Sequence, residues 1–135
     1  MSFSAIQWVR DQFSELPSVS ENLEGRVMIV TGANTGIGFE CAKHFLRMKP
    51  AKLILAVRSL EKGQAAALRM IDQTKETKPD IVDVWELDMA GFASVQAFSQ
   101  RVETLPRLDI AVLNSGVVTD AWDTTGDGYE VSWVD

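Results

Sequence analysis

Thr31-Gly32-Ala33-Asn34-Thr35-Gly36-Ile37-Gly38 is the stretch whose residue types and spacing bear most directly on chemistry. It follows the apolar run Val27-Met28-Ile29-Val30 and opens a segment with helical periodicity. Strand, glycine turn and helix together form the context that a dinucleotide-phosphate loop requires. Gly32 permits a sharp exit from the strand. Gly36 removes a β-carbon where backbone must approach a pyrophosphate, and Gly38 lets the helix pack closely on the sheet. The N–H groups of the first helical turn have no intrahelical partner and are aimed at the anion. The chemistry expected here is phosphate binding.

Other reactive side chains are sparse. Cys41, the single cysteine, lies one turn after Ile37 and one before Phe45, which reads as a buried packing position. His44, the single histidine, sits in the helix behind the loop and reads as a surface residue. No His/Cys/Asp grouping has metal-ligand spacing, and no Ser-His-Asp set can be assembled around His44. No catalytic and no metal-ligating residue is therefore assigned.

The elements that must position the loop are legible from periodicity. Lys52–Val57 reads as a second strand, Val82–Leu87 as a third and Leu108–Leu113 as a fourth. Helical patterns lie between them at about 37–48, 60–75 and 92–104. Such alternation with short connections predicts an α/β fold, a doubly wound parallel sheet. Right-handed crossovers and a phosphate loop after the first strand give the order 3-2-1-4. Residues 119–128 read as a polar loop and Tyr129–Asp135 as one helical turn. Ahead of the sheet, residues 1–24 form a separate lead-in. Phe3, Ile6, Val9, Phe13 and Leu16 recur at helical spacing, and Pro17 ends the pattern. This amphipathic helix lacks a cationic face, so packing on the domain or a partner is expected rather than contact with a membrane surface.

Length and composition bound the rest. The 135 residues suit one domain with a real core, here assigned to 25–135. A net charge of −6 without any basic stripe argues against a nucleic-acid partner. No apolar run approaches the ~20 residues of a membrane span, and the N-terminus lacks the apolar core of a secretory signal. One cysteine excludes an internal disulfide framework, so a cytoplasmic setting is the expectation.

The glycine spacing, with Asn114-Ser115-Gly116 ending the fourth strand, resembles the short-chain dehydrogenase/reductase family. Ala56-Val57-Arg58-Ser59 and Glu61-Lys62-Gly63 are similar to its retinol-dehydrogenase-type and fungal metabolic branch. The resemblance runs from about Leu23 to Tyr129 and implies a partial Rossmann-type domain that binds NADP(H). Gly32, Gly36, Ile37 and Gly38 then correspond to the pyrophosphate loop, with Asn34 and Thr35 supplying polar contacts along it. Asp88 corresponds to the acid that reads the adenine amino group, for which a carboxylate is a good acceptor. An ordinary turn role for an Asp after a strand is the alternative. Asn114 corresponds to the asparagine that lines the cofactor cleft and steadies the central strand. Ser115 stands where the family often has alanine and is no catalytic serine. Arg58 stands where an NAD-specific member would carry Asp or Glu for the ribose hydroxyls. A guanidinium there attracts a 2′-phosphate and can bind it bidentately, and Lys62 offers a second cation.

The resemblance also defines what these residues do not include. The family uses a tyrosine to exchange a proton with the substrate oxygen, a lysine four residues later that lowers its pKa, and a serine that polarises the carbonyl. These lie beyond the fourth strand, and the 135 residues stop before them. Tyr129, the single tyrosine, has Trp133 at +4, so no Tyr-x-x-x-Lys occurs. The expectation is a truncated cofactor-binding half of an NADP(H)-dependent oxidoreductase, inactive alone. Its exposed fourth-strand edge is available to a second copy or a protein partner. Two alternatives stand beside it: a non-catalytic interaction module, and a small non-redox isomerase or cyclase using the nucleotide cleft.

Overall fold

In a computed structural model of the chain, the structure describes Arg10, Phe13 and residues 21–75, 79–117 and 122–131. The lead-in helix expected over 1–24 falls largely outside the described residues. Within it, the Phe13 N–H donates to the Arg10 carbonyl at 3.1 Å and the Phe13 side chain is exposed.

Four parallel strands form one sheet in the order β3-β2-β1-β4, as the connection rules predict. They are β1 (Val27–Thr31), β2 (Lys52–Val57), β3 (Val82–Glu86) and β4 (Ile110–Val112). The intervening helices are α1 (Gly36–Arg47), α2 (Leu60–Thr74) and α3 (Phe92–Glu103), and a single 3-10 turn at Pro79–Ile81 precedes β3. Val27 aligns with Lys52 and Met28 with Ile110, so β1 is flanked on both sides. Both central strands are almost continuously apolar because both of their faces are covered.

Alternation along the strands divides the core in two. Met28, Val30, Leu53, Leu55 and Val57 face α1 and α2, where Phe39, Ala42, Leu46, Ala66, Ala67 and Met70 complete one cluster. Val27, Ile29, Ile54, Ala56 and Trp85 face the other way, against Phe98 and Val102 of α3 and the following Leu105. Gly63 makes the α2 contact possible. A β-carbon there would lie 2.5 Å from both Val57 Cγ2 and Val84 Cγ1. The second face is covered more thinly: α3 has no fully buried residue, and Phe92 and Val95 are exposed.

Three local expectations need correction. The fourth strand is shorter than 108–113, because Leu108 and Leu113 turn outward into solvent. Asp109 still donates its N–H to the Val27 carbonyl, but its side chain is taken by a charge cluster. Its carboxylate accepts from the Val27 N–H, Arg26 and Arg107. The helical turn expected from Tyr129 does not include Tyr129 or Glu130; Val131 opens a 3-10 turn, and 132–135 lie outside the described residues. Glu130 instead forms an antiparallel bridge with Thr124, closed by Thr125 N–H to Tyr129 O and Gly128 N–H to Thr125 O. Gly128 has φ +84°, the left-handed conformation that such a tight reversal needs. Cys41 and His44 are both half-buried, since their faces of α1 graze the core rather than enter it.

Candidate cofactor site

The C-terminal ends of all four parallel strands open on one cleft of about 330 Å³. Open α/β sheets bind ligands at this end, where the chain leaves β1 and β4 in opposite directions. Gly32, Asn34 and Thr35 line it from the β1–α1 loop, Arg58 from the end of β2, Leu87–Ala90 from the end of β3, and Asn114–Val117 from the end of β4. Val131 closes one side. Of the predicted site residues, the structure brings Gly32, Asn34, Thr35, Arg58, Asp88 and Asn114 to this cleft. Gly36 and Ile37 face a neighbouring shallow groove with Thr35, Phe39, Glu40, Arg69 and Gln73. Gly38 is buried beneath the loop.

The three glycines of the loop do different physical work. Gly32 has φ +66°, and a β-carbon there would stand 3.0 Å from Ser115 Oγ and 3.2 Å from Asn114 Nδ2. Gly36 also has positive φ, +59°, yet a β-carbon there would meet no protein atom within 4 Å. Its backbone is therefore approachable from outside. Gly38 has ordinary φ, but a β-carbon would lie 2.5 Å from Asn114 Nδ2 and 2.6 Å from the Gly32 carbonyl oxygen. Close helix–sheet approach is what demands glycine at that position.

Helix α1 begins without the usual satisfaction of its first N–H groups. Thr35 is the N-cap residue in extended conformation (φ −151°, ψ 171°), but its side chain makes no capping hydrogen bond. No acidic residue occupies the first turn. Donors and the positive end of the helix dipole thus stay available at the loop, a fitting environment for an anion.

Thr31 and Asn114 tie the two central strands together at the rim. Asn114 Nδ2 donates to the Thr31 carbonyl at 3.1 Å. The backbone N–H groups of Asn114 and Ser115 both donate to Thr31 Oγ1 at 2.9 Å. One buried hydroxyl therefore satisfies two amides of a chain segment that has just left its strand, which fixes Gly116 and Val117 along the cleft. The sequence reading used Thr31 only to begin the motif. Its signal was present all the same, since a β-branched hydroxyl residue ends an otherwise wholly apolar strand.

Asp88 takes the turn role weighed for it. Its Oδ1 accepts from the Ala90 N–H at 3.1 Å, an Asx-type turn, and its own N–H donates to Ser94 Oγ at 2.9 Å. The other carboxylate oxygen has no hydrogen-bond partner among the described residues, and Asp88 borders the cleft. Arg58 is exposed and makes no hydrogen bond or ion pair among the described residues. Lys62 follows one turn into α2, where its backbone N–H donates to Ser59 Oγ and caps the helix.

Three further supports escaped sequence reasoning. Asp127 Oδ2 accepts the Phe92 N–H at 2.8 Å, capping α3 from 35 positions away, because Gly91 at the N-cap has no side chain to do so. Tyr129 packs on Phe92 with ring centroids 5.0 Å apart, which holds the 122–131 segment beside the cleft. Arg69 Nη2 donates to the Asn34 carbonyl at 3.1 Å.

Comparison with known proteins agrees with this geometry. A short chain dehydrogenase family model matches residues 26–130. The short chain dehydrogenase atnD of Emericella nidulans is 44% identical over 116 residues, covering 86% of this chain and 36% of its own length. A menthone neomenthol reductase from Mentha piperita superposes with a TM-score of 0.63 at 37% identity, covering 69% of this chain and 32% of that one. A short-chain dehydrogenase from Sphingobium yanoikuyae, solved in complex with NADPH, gives a TM-score of 0.62 at 26% identity. That match covers 76% of this chain and 39% of the other. The chain thus spans about a third of the length of the relatives it matches. No described helix is long and apolar enough to cross a membrane. With its glycine loop, strand order and rim asparagine accounted for, the chain belongs to the short chain dehydrogenase family.

Proposed function

We propose that these 135 residues are the NADP(H)-binding part of an oxidoreductase of this family. The observation that carries the reading is the convergence, at one cleft, of the uncapped N-terminus of α1 at Thr35 and the guanidinium of Arg58, which has no partner among the described residues. The loop from Gly32 to Gly38 holds the pyrophosphate through backbone N–H groups, with Asn34, Thr35 and Ile37 along its outer rim. Arg58 takes the 2′-phosphate, assisted by Lys62. The free carboxylate oxygen of Asp88 accepts from the adenine amino group, and Asn114 holds the rim of the cleft by its bond to Thr31.

The nicotinamide of such a cofactor supplies or accepts a hydride. The proton that must accompany that transfer needs a donor, and no Tyr-x-x-x-Lys pair is present among these residues. General acid–base help is worth about 10²–10⁴-fold, so the chain by itself is expected to bind cofactor without appreciable carbonyl reduction. Fluorescence titration of the 135-residue chain tests the reading: NADPH should bind more tightly than NADH. Equal affinity for the two refutes the role given to Arg58, and the binding of neither refutes the site.

A second reading rests on β4, which pairs with β1 alone among the described residues and exposes Ala111 and Leu113. Parallel strands are normally buried within a sheet, so this edge accepts a further strand, from a second copy or another polypeptide segment.

A further inference from the structure

We infer that Arg69, on the third turn of α2, is a positioning residue for the glycine loop and thereby for the dinucleotide. The inference rests on the cofactor site proposed above but concerns a different residue and a different step. Arg69 Nη2 donates to the Asn34 carbonyl at 3.1 Å, at the middle of the loop between Gly32 and Gly36. The loop has little of its own to hold it there. Thr35 makes no side-chain cap, and both Gly32 and Gly36 have positive φ, a conformation that glycine enters and leaves with equal ease. The guanidinium is itself held: it lies 4.8 Å from the centre of the Phe39 ring, and Phe39 is buried in α1. Lys43 sits 5.3 Å from the same ring and donates to Gln73 of α2 at 3.1 Å, so the arginine leaves a surface on which α1 and α2 are already fastened together.

The chemistry of this contact differs from that of Arg58. Arg58 presents its charge to the cleft, whereas Arg69 spends a donor on a backbone carbonyl and sets its guanidinium over an aromatic ring. Fixing Asn34 fixes the orientation of the loop amides, and every dinucleotide uses those amides equally. Arg69 therefore governs affinity without governing the choice between the two nicotinamide cofactors. Lysine cannot replace it fully, since an ammonium supplies the hydrogen bond but not the planar guanidinium over the ring.

Two measurements on the 135-residue chain test this. In hydrogen exchange without any cofactor, Arg69→Ala should speed exchange of the Gly32 and Phe39 amides, which bond to Ala56 O and Thr35 O, by about three- to tenfold. Amides within β2 should be unchanged. In titrations, Arg69→Ala should weaken NADPH and NADH by the same factor of about three to ten, with Arg69→Lys between it and the wild type. Unchanged loop exchange overturns the inference whether or not the chain binds a dinucleotide. A loss confined to NADPH also overturns it, by making Arg69 a direct phosphate ligand. Failure of the wild type to bind either cofactor, with loop exchange still accelerated in Arg69→Ala, refutes the proposed site but leaves the loop-positioning role standing.

Discussion

Replacing Gly38 by alanine puts a methyl group 2.5 Å from Asn114 Nδ2 and 2.6 Å from the Gly32 carbonyl oxygen. The second neighbour is backbone and cannot swing aside, so α1 must move off the sheet or the loop must open. Overpacking of this kind costs about 1–3 kcal/mol, and the backbone contact argues for the upper part of that range. Displacing Asn114 weakens its bond to the Thr31 carbonyl, a further loss of about 1 kcal/mol. Against these stands the better helix propensity of alanine, at most about 1 kcal/mol. The net destabilisation is about 2 kcal/mol, or a fall in Tm of roughly 5–10 °C for a chain of this size. Urea unfolding followed by circular dichroism measures it. Two controls separate crowding from conformation. Gly36→Ala meets no atom but must hold φ +59°, a strain of about 1–2 kcal/mol. Gly126→Ala meets neither obstacle and should stay within about 0.5 kcal/mol of the wild type. Adding Asn114→Ala to Gly38→Ala should not restore stability, because the Gly32 carbonyl remains in place. A Gly38→Ala midpoint at or above that of the wild type would show that helix propensity outweighs the helix–sheet contact, and would refute the reasoning.

Arg58→Asp should weaken NADPH binding and leave NADH the better ligand, since a carboxylate repels a 2′-phosphate and accepts from ribose hydroxyls; competitive titration reads the reversal directly. Asp109 is held well below the usual carboxylate range by hydrogen bonds from Arg107, the Val27 N–H and Arg26. Because its folded value is depressed, its contribution to stability is present above the unfolded value of about 4 and is lost as pH falls below it. Thermal unfolding of Asp109→Asn should therefore show a deficit at pH 7 that narrows in acid, and a deficit independent of pH would contradict that origin. Asp127→Ala removes the acceptor that caps α3 and should cost about 1 kcal/mol, with faster exchange of the Phe92 amide as its local mark. Size-exclusion chromatography with light scattering should find the 135-residue chain associating through β4; a stable monomer at tens of micromolar with protected amides over 110–112 would refute the open edge.

Much of the fold was legible because its determinants are local. Periodicity along 27–31, 52–57 and 82–86 alone separates strands from the helices between them, and a glycine loop after the first strand fixes which strand is central. The ends of elements were less legible. Whether Leu108 and Leu113 belong to β4 depends on what lies opposite them, and a run of apolar residues carries no record of that. The candidate site divides along the same line. Gly32, Gly36 and Gly38 announce a loop by their spacing, and Arg58, Asp88 and Asn114 each lie within two residues of a strand's C-terminal end, so their gathering at one end of a parallel sheet follows from topology. Tertiary structure alone decided how they are held. The Thr31 hydroxyl receives amides from residues 83 and 84 positions later, Asp127 caps a helix 35 positions earlier, and Arg69 reaches back 35 positions to Asn34. Periodicity reports which face of an element is apolar, whereas a hydrogen bond between distant segments depends on distances of a few tenths of an ångström that only the packed chain establishes. The same reason distinguishes the glycines. Their number and spacing belong to the sequence, but that Gly36 faces open space while Gly38 is pressed against the Gly32 carbonyl is decided by how closely α1 lies on the sheet.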